Sequence, residues 1–88
     1  MPVIRRIVLD VLKPHLPNLL DFTESVAALS ADYQVGAEVL EMDEKTETLA
    51  LTVEGDALDY AKIEAEIGAL GGSVHSIDAC LVVGDSAA

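Results

Sequence analysis

Apolar positions along this chain alternate between the two-residue period of a strand and the 3.6-residue period of a helix. Residues 3–13 predict a strand rich in β-branched side chains and stopped by Pro14. Its odd positions are Val3, Arg5, Ile7, Leu9 and Val11, and its even positions Ile4, Arg6, Val8, Asp10 and Leu12. Both sets are apolar in the middle, as in a central strand covered on both faces. Pro14 and Pro17 keep the next stretch irregular. Asn18 then caps a helix running to about Ser30, with Leu19, Phe22, Val26 and Leu29 on its inner stripe.

Gln34 to Met42 predicts a second strand, with Val35, Ala37 and Val39 alternating against Gly36, Glu38 and Leu40. A polar turn at Asp43–Thr46 joins it to a third strand, Glu47 to Glu54. That strand turns Leu49, Leu51 and Val53 inward and Thr48, Ala50, Thr52 and Glu54 outward. Asp56 or Asp59 caps a second helix with the stripe Tyr60, Ile63, Ile67 and Leu70, and Gly71-Gly72 ends it. Ser73 to Val83 is the fourth strand. The order β-α-β-β-α-β, with right-handed crossovers, predicts an α+β domain of ferredoxin-like topology. Its four-stranded antiparallel sheet has the order 4-1-3-2, with both helices on one face. Residues 1–83 form one such domain and residues 84–88 a fraying tail.

Composition narrows the setting. Of 88 residues 51% are hydrophobic, yet the only aromatics are Phe22, Tyr33 and Tyr60, so the core is aliphatic. Sixteen acids against five bases give a net charge of −11, dispersed along the chain and not gathered in a tail. An acidic shell over an apolar core suits concentrated salt, where the Debye length shrinks to about 3 Å and self-repulsion is screened. The expectation is a halophilic, cytoplasmic protein. No run approaches the length of a membrane span, and the start lacks the pattern of a signal peptide. Nucleic acid is not an expected partner: the charge is wrong, and strands one and three carry no aromatic for base stacking. Cys80, the single cysteine, allows no intrachain disulfide and reads as a small buried apolar residue.

Candidate chemistry starts from two aspartates in apolar strands, Asp10 and Asp78. A carboxylate there must be solvated, paired, protonated or bound to a cation. If the centres of the first and last strands align, Asp10 falls opposite Asp78 and Leu12 opposite Ser76. Two carboxylates about 5 Å apart cannot both stay ionised unaided. A shared proton, a calcium or magnesium ion, or Arg5 or Arg6 of a neighbouring subunit would relieve them. Asp10, Asp78 and Ser76, with Thr52 a further candidate, are the oxygen donors for such an ion. The same register brings His75 beside Lys13, two residues short of His15, so the two histidines converge as secondary ligands. Ile4, Val8, Leu12, Leu40 and Ala50, with Val74 and Cys80 as further candidates, give the helix-free face an apolar character that self-association would cover.

Arg6-Ile7-Val8-Leu9-Asp10-Val11-Leu12-Lys13-Pro14-His15, Glu54-Gly55-Asp56 with Leu58-Asp59-Tyr60, and Gly71-Gly72-Ser73-Val74-His75-Ser76-Ile77-Asp78 together resemble the archaeal domain of unknown function 211 (DUF211) over nearly the whole chain. The resemblance implies a ferredoxin-like fold, an archaeal source and homo-oligomers, and no activity. Its motif positions point to Asp10, His15, His75, Ser76 and Asp78.

The first expectation is a non-enzymatic homo-oligomer binding a small ligand or divalent cation in a regulatory role. The second is a small oligomeric enzyme using Asp10 and Asp78 as an acid–base pair or metal site. The third is a purely structural interaction module.

Overall fold

The computed structural model describes residues 1–84, so of the expected tail only Gly84 lies within the described residues. The elements are β1 (Val3–Pro14), α1 (Leu19–Ala27), β2 (Gln34–Met42), β3 (Thr46–Glu54), α2 (Tyr60–Ala69) and β4 (Ser73–Val83). They form one antiparallel sheet of order β2-β3-β1-β4, the expected 4-1-3-2 read from the other edge.

Local chemistry sets the boundaries. Asn18 accepts a hydrogen bond from the Asp21 amide at 2.8 Å and starts α1. That helix stops at Ala27, short of the expected Ser30, with Ala28 as its C-cap. Asp59, and not Asp56, caps α2 through the Lys62 amide at 3.2 Å. Gly71 leaves α2 at φ +87°, a conformation that favours glycine. Next to it a Cβ on Gly72 would stand 3.0 Å from the Leu12 carbonyl oxygen, so the chain can press back against β1 only without a side chain there.

The core lies between the helices and one face of the sheet. Ile7, Leu9 and Val11 of β1 and Leu49, Leu51 and Val53 of β3 pack against Phe22, Val26, Ile63 and Ile67. Strand alternation puts those odd-numbered positions on one side. Lys13 and Glu47 share that parity and are buried with them.

The β1–β4 pairing departs from the expected register. Asp10 stands opposite Ser76, and Leu12 opposite Ser73. The pairing shifts three times, between Ile4 and Arg6, Val8 and Leu9, and Asp10 and Val11. Each shift is a β-bulge that adds a residue to one strand. Arg5, Asp78 and His75 are the residues left without a direct opposite. The expected pairing of Asp10 with Asp78 fails because centre alignment presumes a regular ladder.

Bulges also re-sort the faces. Ile4 and Val74 pack against the helix-side core and not on the open face. Cys80 stands opposite Ile7, on the helix side in register, but is exposed and not buried, since it lies on the edge strand. On the open face remain Val8, Leu12 and Ala50, interspersed with Asp10, Thr48, Thr52 and Ser76. A further shift between Val39 and Glu41 leaves Leu40 without an opposite and sets Glu41 against Thr48 on that face.

Candidate functional site

A cleft of about 320 Å³ opens on the helix-free face, lined by Asp10, Leu12, Glu41, Thr48 and His75. It sits at the small end of ligand clefts, which span roughly 300–1,000 Å³. All four strands contribute: Glu41 from β2, Thr48 from β3, Asp10 and Leu12 from β1, and His75 from β4. Thr48 pairs with Leu12 on one side and Glu41 on the other, forming the floor. Asp10 Oδ1 is buried and has no hydrogen-bond partner among the described residues. A desolvated carboxylate oxygen left unpaired is costly, so it favours an incoming donor or cation.

Of the five residues expected at a site, the structure brings Asp10 and His75 to the cleft. Ser76 faces Asp10 across the strand pair, but its hydroxyl donates to Asp78 Oδ1 at 2.6 Å. Asp78 is thereby engaged by its neighbour, and neither residue lines the cleft. Among the described residues no three His, Cys, Asp or Glu side chains are grouped closely enough to hold a metal ion. An ion at Asp10 and Glu41 would therefore retain much of its hydration, as magnesium commonly does.

His15 sits elsewhere. Its Nδ1 is 2.9 Å from Glu47 Oε2, and its Nε2 is 2.9 Å and 3.1 Å from the Asp43 and Glu44 carbonyl oxygens of the β2–β3 turn. Both ring nitrogens thus face acceptors, and only the protonated ring can donate to both. The Glu47 hydrogen bond is the chief cause of a His15 pKa above its usual value. In turn His15, aided by Lys13, holds the Glu47 carboxyl below the usual carboxylate range against the opposing effect of burial. Lys13 Nζ donates to the Pro14 carbonyl oxygen at 2.7 Å and lies 3.3 Å from Glu47 Oε1. It also stands 5.9 Å from the Phe22 ring centroid, a cation–π distance. This network ties β1 to the hairpin turn and is not a ligand site, because its members satisfy one another.

Sequence reasoning missed Glu41, Thr48 and the Lys13–Glu47 pair. Thr48 and the pair were open to detection: extending the alternation of β1 and β3 by one step puts a lysine and a glutamate inward together. Glu41 carried no such signal. Its parity matches Val35, Ala37 and Val39, and only the extra residue at Leu40 turns it to the other face.

Fold and cleft together define an α+β domain of ferredoxin-like topology with an acidic cleft on the bare face of its sheet. The chain belongs to the DUF211 family, described as uncharacterized ArCR, whose model matches residues 5–87. An uncharacterized protein of the archaeon Methanocaldococcus jannaschii is 47% identical over 75 residues, 85% of this chain and 77% of that protein. No helix among the described residues is long and apolar enough to cross a membrane.

Proposed function

We infer that this chain is a binding domain of a cytoplasmic homo-oligomer, and that the cleft takes a small cationic ligand. The simplest such ligand is a hydrated divalent ion, calcium or magnesium. The observation that carries the reading is the buried, unpartnered Oδ1 of Asp10 in a cleft that also holds the Glu41 carboxylate. Thr48 and His75 supply polar atoms for the ion's water shell. Asp78, turned to Ser76, acts at most through the strand it shares with His75. Val8, Leu12 and Ala50 on the same face are surface that a second subunit would cover, so occupancy of the cleft could bias association, the basis of a regulatory role.

Calcium or magnesium titration monitored by thermal unfolding tests this. Near saturation at about a hundred times Kd, Tm of the native protein should rise by roughly 10–20 °C. Asp10→Asn and Glu41→Gln should abolish the rise, and Asp78→Asn should keep it. Without ion, Asp10→Asn should be neutral or stabilising, since it relieves a half-buried carboxylate whose Oδ1 lacks a partner. An equal shift in native protein and Asp10→Asn would overturn the reading.

A further inference from the structure

The two edges of the sheet differ in kind. β2 carries Glu38 and Glu41, charges that discourage edge pairing, whereas the extra residues of β4, His75 and Asp78, precede its uncharged stretch. β4 is longer, and after Asp78 it reads Ala79-Cys80-Leu81-Val82-Val83 without a charge. Ile77 and Leu81 are each 54% exposed and Val82 47% exposed, although β1 pairs along this whole stretch. An exposed apolar edge strand offers a row of unpaired backbone groups and side chains to another strand.

The charges flanking this stretch say which strand. Asp78 stands at one end of it, and Arg5 and Arg6 of β1 stand beside the other, with Arg6 directly opposite Leu81. These are two of only five basic residues in a chain of net charge −11. Arg6 is loosely held, with its Nε 3.9 Å from Glu54 Oε2, and the buried Nε of Arg5 has no hydrogen-bond partner among the described residues. Under a two-fold axis normal to the sheet, the acid of one copy meets the arginines of the other. No foreign strand is needed to supply either charge.

We propose that β4 pairs antiparallel with β4 of a second copy, the axis passing at Cys80, to make a continuous eight-stranded sheet. In that register Leu81 of each copy faces Ala79 of the other, and Asp78 faces Val82. Across two strand spacings, about 10 Å, the Arg6 side chain then reaches the Asp78 carboxylate of the opposite copy. No like charges oppose each other along the uncharged stretch. Both clefts fall on one side of the joined sheet. This edge contact is separate from the open-face contact beside the cleft, and it does not depend on what the clefts bind.

Oxidative cross-linking and charge exchange test it on the full chain, the first in molar KCl and the second in about 0.2 M KCl, where exposed charges are less screened. The two Cys80 Cα atoms would lie about 5 Å apart, within disulfide range, so copper phenanthroline should link folded protein into a covalent dimer. In sedimentation, Asp78→Arg alone should raise the dimer dissociation constant at least about tenfold, and adding Arg6→Asp should restore it to within about threefold. Circular dichroism of each variant confirms that the fold persists. Asp10→Asn, which removes the cleft carboxylate, should leave cross-linking unchanged, so this proposal and the cleft reading fail separately. A folded protein that stays monomeric at micromolar concentration, one that does not cross-link through Cys80, or oligomers indifferent to the charge exchange would each overturn the pairing.

Discussion

Lys13 shows how one side chain can be charged and buried at once. With no exposed surface, its ammonium is matched by the Pro14 carbonyl and the Glu47 carboxylate and lies over the Phe22 ring. Breaking such a pair from one side is more damaging than never having had it. Glu47→Leu is therefore expected to destabilise by about 3 kcal/mol, measured by denaturant unfolding, while Lys13→Met with Glu47→Leu should recover much of that loss. Titration acts on the same group of residues. The folded pKa of Glu47 is lowered, so its contribution is present above the ordinary carboxylate range and is lost as pH falls through the folded value. That of His15 is raised above 6.5, so its contribution is full below that pH and is lost as pH rises through the folded value. Stability from the pair peaks between those limits, and His15→Gln should flatten the decline in Tm from about pH 6 to about pH 9. An unchanged slope would place the alkaline loss elsewhere.

Among elements, order and type were readable because the local signals agree: proline stops, Asn and Asp caps, a glycine exit and two distinct periods. The Asp59 cap is a direct check, since Asp59→Ala should cost about 1 kcal/mol, whereas Asp56→Ala should be near neutral, because Asp56 meets Asp32 through its backbone amide, which alanine keeps. Register was another matter. Nothing in Ile77-Asp78-Ala79 marks Asp78 as the added residue, yet that insertion decides that Asp10 meets Ser76. The bulge at Leu40 likewise exchanged an expected apolar face for one with a second carboxylate. The acid at Asp10 was found from sequence because burial of a charge is a local anomaly. Its cleft partners were not, because they arrive by accumulated one-residue shifts.

On the scale of the molecule, an aliphatic core of two helix stripes and two strands carries a surface of net charge −11. Most of the core was predictable from strand parity and helix period, while Leu58 and Tyr33 are buried outside any stripe that the sequence displays. The charge makes stability a property of the solvent as well. Raising KCl from about 0.1 M to about 2 M shortens the Debye length from about 10 Å to below 3 Å, and Tm should rise with it. A flat or falling Tm would argue against adaptation to concentrated salt. The same architecture gives the chain an internal gauge of its own opening. Lys45 and Lys62 are exposed, whereas Lys13 is sealed between sheet and helix. An amine-acylating reagent should therefore modify the first two at once and Lys13 only when β1 parts from the hairpin. The rate at which Lys13 reacts would time global unfolding in native solvent, without denaturant and at any salt concentration.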